Sequence, residues 1–407
     1  MAGKKRNKVQ ANDITGLKYF ATLAPLMERL HMVGCERDKA GNRELHFDQY
    51  CMLVLLYLYN PVVSSLRAIQ QASELKKVQK KLGCARASLG SLSEATAVFA
   101  PDRLRDVMVE LADQLQPIGR DARLKHVRAT LTLVDGTLLA SLPKMAEASL
   151  LKRETGKSTI KWRLHTQFEV DRHTPSRIDL TDNSGRGNAD EREVLANSLQ
   201  SDHCYVMDRG YVKFALFNTI ARMDSSYVCR IRDNSHVEVI ETRELREEDR
   251  AANIIEDAVV QLGSPGSGGT EKIDHEVRVV TIKTTPHPKR GGKAASAPTN
   301  DGYLRIATNL LEVPASIIAL IYEYRWTIEI FFRFFKHVLG CRHLLSHDED
   351  GIRIQTYCAI IACLLISLWT GRKPTLRTYE MICYYLSGLA DEEEFLKHVS
   401  KLKPHEA

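Results

Sequence analysis

ATLTLVDG, Ala129 to Gly136, is a run of Thr, Leu and Val that stops at Asp135 and turns at Gly136. Short apolar runs rich in β-branched residues and bounded by a glycine read as strands. Working outward, LHTQFEVD (164–171), SRIDLT (176–181), CYVMDRG (204–210) and SYVCRIR (226–232) repeat the signature. Between the third and fourth runs, NADEREVLANSLQ reads as a helix with Asn188 or Asp190 as its cap, and VKFALFNTIARM fills the next gap as a second helix. Strands with intervening helices indicate an α/β fold, a sheet layered with helices.

The first 120 residues read as helices. Asp48 is expected to cap an apolar stretch ending at Tyr59 before Asn60-Pro61, and Ser64 to cap LRAIQQASE. KKVQKKLG (76–83) reads as a basic connector, SLGSLSEATAVF (88–99) as a further helix, and Pro101 as first-turn residue of PDRLRDVMVELADQL. Short helices joined by a basic connector suit a helix-turn-helix reader of DNA.

Residues 233–302 break the pattern. They are acidic and hold a Gly/Ser-rich loop GSPGSGGT, a β-like stretch EVRVVTIKTT and the segment PHPKRGGKAASAPTNDG, and they read as a β-rich insertion. No Gly-Lys-Ser/Thr follows those glycines, which argues against a nucleotide loop. The division expected is therefore 1–120 helical and DNA-binding, 121–232 first part of the core, 233–302 insertion, 303–370 second part of the core, and 371–407 a helical tail.

Composition bounds the function. The chain of 407 residues carries a formal +6 and 44% hydrophobic residues, which excludes collagen-like, mucin-like and wholly disordered proteins. The charge is unevenly placed: residues 1–125 hold 20 Lys+Arg against 13 Asp+Glu, whereas 233–302 hold 9 against 13. A basic N-terminal third points to a polyanion partner. The run Tyr357 to Trp369 is shorter than the roughly 20 residues of a membrane span. With no apolar signal core behind the basic N-terminus, a cytoplasmic location is expected. The nine cysteines are scattered without a Cys-x-x-Cys, as in reduced core thiols.

The chemistry concentrates on PASIIALIYEYRWTIEIFFRFFKHVLG (314–340), read as one helix from Pro314 to Gly340. At about 100° per residue, Tyr322, Arg325, Glu329, Arg333 and Lys336 fall within an arc of roughly 80°, while Ile328, Phe331, Phe332, Phe335, Val338 and Leu339 share the opposite side. One carboxylate thus stands among cations. Asp135 and Asp208 lie at strand ends, where active groups gather in α/β sheets. Three carboxylates brought together repel one another unless a cation joins them. Hard oxygen ligands select Mg²⁺ or Mn²⁺, which suits in-line phosphoryl displacement. Arg325 and Lys336 would then hold a phosphodiester, with Tyr322 or Trp326 against a displaced base.

Tyr322-x2-Arg325-x3-Glu329-x6-Lys336 resembles the YREK signature of bacterial insertion-sequence DDE transposases of the insertion-sequence-four-like family. Asp135 in LVDGT resembles that family's first catalytic strand, Asp208-Arg209-Gly210-Tyr211 its second motif, and KWRLHTQFEVD, with Lys161, His165 and Asp171, its Lys-x-His strand. The resemblance covers residues 125 to 370 or so. It implies an RNase H-like core, a mixed sheet flanked by helices and interrupted by a mainly β insertion. It also implies Asp135, Asp208 and Glu329 as catalytic metal ligands for Mg²⁺ or Mn²⁺. The DNA contacts it implies are Tyr322, Arg325 and Lys336, joined by Arg333, Trp326, Arg209, Tyr211 and His165. The partners implied are transposon-end and target DNA, engaged by a homodimer in a paired-end complex. Where the family often shows His-Asp, this chain has Asn188-Ala189-Asp190, so Asp190 reads as a helix cap.

Rival chemistries are weaker. Cys341, His343 and His347 have near zinc-ligand spacing but no second cluster. His347-Asp348-Glu349-Asp350 reads as a capped helix start, and no Gly-x-Ser-x-Gly elbow is present. A glycosidase would pair two carboxylates without needing Arg325 and Lys336 beside one of them. A non-catalytic DNA-binding protein derived from a transposase is the remaining alternative, and its mark would be a missing acidic residue.

Overall fold

The structure, a computed structural model, describes residues 18–402 apart from 34–35, 40, 42, 61, 116–119, 140–161, 183–186, 264–271, 285–301, 341–343, 347 and 371–373. Lys161, Cys341, His343, His347 and most of GSPGSGGT and PHPKRGGKAASAPTNDG lie outside the described residues.

Among the described residues, nine strands make one mixed sheet: β1 (Thr130–Leu138), β2 (Trp162–Glu169), β3 (Thr174–Asp182), β4 (His203–Met207), β5 (Ser226–Arg230), β6 (Val237–Thr242), β7 (Ile254–Leu262), β8 (Val277–Lys283) and β9 (Tyr303–Thr308). Their spatial order is β3-β2-β1-β4-β5-β9-β8-β7-β6. β1, β2 and β3 are antiparallel, β4 and β5 continue parallel to β1, and β9 turns antiparallel again. The strands of 233–302 extend the sheet through β8 against β9.

Alternation along each strand separates two cores. On β4, Cys204 and Val206 join one apolar cluster while Tyr205 and Met207 join the other. On β1, Leu131 and Leu133 belong to the first and Val134 to the second. The smaller cluster is closed by α7 (Glu191–Ala196) and α8 (Phe214–Arg222), through Leu195, Leu216, Phe217 and Ile220. Asp190 caps α7 as expected, accepting from the Arg192 N–H at 2.9 Å.

The larger cluster lies under a helical body drawn from both ends of the chain. Its N-terminal part is α1 (Lys18–Glu28), α2 (Phe47–Tyr59), α3 (Leu66–Ser73), α4 (Lys76–Leu82), α5 (Leu89–Val98) and α6 (Arg103–Gln114). After the short α9 (Glu247–Ala251) come α10 (Ala315–Glu323), α11 (Trp326–Gly340), α12 (Glu349–Thr370), α13 (Leu376–Leu386) and α14 (Glu392–Lys401). α12 packs against α2, α5, α6 and α11. Its stretch Glu349–Leu368 is long and apolar enough to cross a membrane, more than the sequence reading allowed, but 89% of that stretch is buried inside the protein. The Tyr59 hydroxyl donates to the Ala362 carbonyl at 2.6 Å and Tyr379 to that of Leu58 at 2.6 Å, locking the two ends of the chain together. α6 reaches the sheet through Arg105–Asp179 at 2.8 Å.

Local signals are corrected in detail. Ser65 rather than Ser64 caps α3, accepting from the Ala68 N–H. α2 starts after His46, and Asp48 pairs instead with His31 at 3.0 Å. KKVQKKL is a helix, because Val78 and Leu82, four apart, give it an inner face. The helix expected within 88–99 is α5, capped by Ser88, and Asp348 accepts from the Gly351 N–H at the start of α12 as expected.

Candidate active site

The register of β1 against β4 pairs Val134 with Met207, so one step further Asp135 stands beside Asp208. Both aspartates share strand parity with Leu133 and Val206, which places them on the face covered by the helical body. β1 does not stop at Asp135. It runs on to Leu138 because β2 keeps pairing with it, while β4 ends at Met207 and its chain turns through Arg209–Tyr211. The Asp208 carbonyl accepts from the Cys229 thiol of β5 at 3.6 Å, which fixes the backbone at that point.

Glu329 arrives on α11. The expected single helix from Pro314 to Gly340 is two helices broken at Tyr324 and Arg325. The Arg325 N–H donates to the Tyr322 carbonyl at 3.0 Å and Thr327 to Tyr324 at 2.8 Å, a tightened i to i+3 pattern. Side chains on either side of the break are held by separate elements. The Tyr322 hydroxyl donates to Asp208 Oδ1 at 3.4 Å, and that of Tyr324 to Asp121 Oδ2 at 2.8 Å. Beyond the break, Ile328, Phe331, Phe332, Phe335 and Val338 are buried as the periodicity requires, and Phe331 packs at a tilt against Phe168 of β2 with ring centroids 5.5 Å apart. The side chain of Leu339 is outside the described residues.

Arg325 is the hub. Its Nη2 donates to Glu329 Oε1 at 2.8 Å, Nη1 stands 3.7 Å from Asp135 Oδ2, and the guanidinium lies 5.9 Å from the Tyr322 ring centre. Burial pushes Asp135 up to about 6; the Gly136 N–H and Arg325 pull it down, and Asp208 and Glu329 push it further up. Asp135, Asp208 and Glu329 therefore share one electrostatic field although they come from three distant segments. Their common cation is a guanidinium, and among the described residues no group of three His, Cys, Asp or Glu side chains is close enough to hold one metal ion. A cleft of about 580 Å³ adjoins Tyr322, lined also by Arg123, Glu248, Ser316, Leu320 and Glu323.

The remaining predicted residues divide by exposure. Trp326, 57% exposed, Arg333 and Arg209 face solvent, and Lys336 is half-buried, its ammonium pKa lowered by desolvation. Tyr211 and His165 do not present a surface. Tyr211 is buried within the field of Asp135 and Asp208, its hydroxyl pushed far up by burial. His165 is buried in β2, bonded through Nε2 to the Thr181 hydroxyl at 2.8 Å, and desolvation lowers it to about 4, so it is neutral. Both support the site from beneath, where period-2 alternation in a sheet covered on both faces turns every side chain inward. Asp171 stands 3.9 Å from Arg120 and burial raises its pKa.

Sequence reasoning missed Glu191 and Asp121. Glu191 pairs with Arg163, and its Oε1 lies 3.1 Å from where a Cβ on Gly136 would sit, so the glycine beside Asp135 makes room for it. The signal was its place directly after a cap. Asp121 is held far below the carboxylate range, chiefly by Arg123, and anchors Tyr324.

Residues 128–365 match the family described as Transposase DDE domain. Over 301 residues the chain is 28% identical to the "Putative transposase y4zB" of Sinorhizobium fredii, covering 74% of this chain and 73% of that one. It is 26% identical over 223 residues to the "Probable transposase for insertion sequence element IS5377" of Geobacillus stearothermophilus, covering 52% of each. Among solved structures, a cryo-EM structure of the piggyBac transposase synaptic complex with hairpin DNA aligns over 99% of this chain and 89% of that one, at 10% identity and a TM-score of 0.42.

Proposed function

The chain belongs to the DDE transposase family, and from that membership we propose that Asp135, Asp208 and Glu329 are the acidic set with which it cuts DNA phosphodiesters at the ends of a mobile element. Its function is DNA transposition. The observation that carries the assignment is the meeting of these three side chains on the Tyr322–Arg325 pair. The strand order β3-β2-β1-β4-β5, three antiparallel and two parallel, supports reading this part of the sheet as an RNase H-like core. The strands β6, β7 and β8 are then the insertion between its halves. The contacts of Arg325 with Tyr322 and Glu329 support reading these residues as the insertion-sequence-four-like signature.

The donor set suits Mg²⁺ or Mn²⁺: all three groups offer hard carboxylate oxygens, and a divalent cation relieves both the burial that chiefly raises Asp135 and the smaller repulsion from Asp208 and Glu329. When bound, such ions activate the attacking water or 3′-hydroxyl and stabilise the leaving oxygen. Asp135, Asp208 and Glu329 would hold them once drawn together in place of their shared Arg325, which would then be free to hold the phosphodiester. Lys336 and Arg333 extend the cationic face along the strand, with Trp326 and Arg209 exposed beside it. Tyr322 orients Asp208 through its hydroxyl. Two copies of the chain, each holding one transposon end, complete the paired-end assembly that captures target DNA.

The test is excision of a plasmid-borne element flanked by its inverted repeats. The full chain releases the flanks with Mg²⁺ or Mn²⁺ and not with EDTA. Metal-independent release would overturn the assignment.

A further inference from the structure

The N-terminal third carries 20 Lys+Arg against 13 Asp+Glu, and the structure gathers four of its unpaired cations on one short helix. Arg29, Arg37, Arg43, Arg86, Arg103 and Arg105 each face a carboxylate in an ion pair. The four lysines of α4, Lys76, Lys77, Lys80 and Lys81, are exposed, and no ion pair links them to a described residue. At about 100° per residue they span an arc of roughly 140° on the side opposite Val78 and Leu82.

This arrangement works against the helix that carries it. Lys76 and Lys77 occupy the first turn, where the macrodipole disfavours cations, and no side chain caps that end. Lys76 and Lys80, and Lys77 and Lys81, are like charges four apart, a destabilising spacing. A local rule broken without a folded-state gain marks a surface shaped by a ligand. Rows of strong, unpartnered cations suit regularly spaced phosphates. We infer that the outer face of α4 is a docking surface for the phosphate backbone of duplex DNA, separate from the Asp135–Asp208–Glu329 site. The inference rests on the transposition reading for its partner. Binding there is indifferent to base sequence, since ammonium groups on phosphates position a duplex without reading it.

The experiment measures binding of the full chain to a fluorescent duplex of about 30 base pairs and unrelated sequence, between about 0.05 and 0.3 M salt. K76Q/K77Q/K80Q/K81Q is compared with wild type and with the all-arginine variant, and equal melting temperatures confirm the fold. The glutamine variant is expected to bind at least about 10-fold more weakly, with the slope of log K against log salt reduced by about 2 to 4, and the arginine variant to keep both. Unchanged affinity and slope in the glutamine variant would overturn the inference while leaving the transposition reading intact. Failure of wild type to bind any duplex would overturn both.

Discussion

Truncating Asp257 to Ala is expected to unseat from a distance the helix pair α10–α11 that carries the proposed Glu329. Arg278 and Asp257 form a bidentate pair on β8 and β7, with Nε to Oδ1 at 2.7 Å and Nη2 to Oδ2 at 2.6 Å, and their side chains are only 3% and 5% exposed. The remaining Nη1 donates to the carbonyls of Leu310 at 3.1 Å, Leu311 at 3.2 Å and Val313, which form the loop from which α10 departs. Arg243 also donates to Leu311, and Asp249 receives the Ser316 N–H at 2.8 Å. Removing one partner of a buried pair costs about 3 to 5 kcal/mol, because the other charge stays buried. Three carbonyl acceptors remain for Arg278, which places Asp257→Ala near the lower end, about 3 kcal/mol. In Asp257→Leu/Arg278→Met the stranded charge is gone, yet the loop carbonyls lose their donor at about 1 to 3 kcal/mol, so recovery is partial. A misplacement of about 1 Å at Tyr322 and Arg325 lowers turnover by up to about 100-fold. Urea denaturation gives the stability and single-turnover cleavage at 25 °C or so gives the rate. If Asp257→Ala unfolds within about 0.5 kcal/mol of wild type and cleaves normally, the reasoning fails.

Asp135→Asn should stabilise the metal-free protein at neutral pH. With its proton retained up to about 6, the folded state binds more protons than the unfolded one between the two values, so stability falls as pH rises through 6. The shift corresponds to at most about 3 kcal/mol, of which about half is already present at pH 5, so melting in EDTA should show the variant gaining about twice as much at pH 7.5 as at pH 5; an equal gain at both would refute it. Gly136→Ala should cost about 1 kcal/mol by pressing on Glu191 Oε1, 3.1 Å from the new Cβ. Adding Glu191→Ala should relieve part of that cost in a double-mutant cycle, and strict additivity would show that the two do not meet.

What the sequence revealed depended on how local the signal was. LVDG and VMDRG announced strands ending near aspartates, and a parallel register then leaves little choice but to set Asp135 beside Asp208. The face shared by Arg325 and Glu329 followed from helical periodicity and survives as a 2.8 Å contact. The break between α10 and α11 was hidden because no Pro or Gly marks it; it comes from Tyr322 and Tyr324 being tied to Asp208 and Asp121, partners more than 100 residues away. Burial of His165 and Tyr211 was equally hidden, since it depends on what covers both faces of the sheet. Composition identified 233–302 as β-rich but carried no information on pairing, and its strands lengthen the same sheet. The basic N-terminal third was visible as a number, and only the folded chain separates arginines neutralised by carboxylates from the open lysines of α4.

The most direct measurement compares wild type with Asp135→Asn, Asp208→Asn and Glu329→Gln, each saturated with end-bearing DNA and supplied with Mg²⁺, in single-turnover cleavage. Each variant should bind the ends with near wild-type affinity and cleave at least about 1,000-fold more slowly, a barrier increase of about 4 kcal/mol. Wild-type-like cleavage by any one of the three would contradict the account.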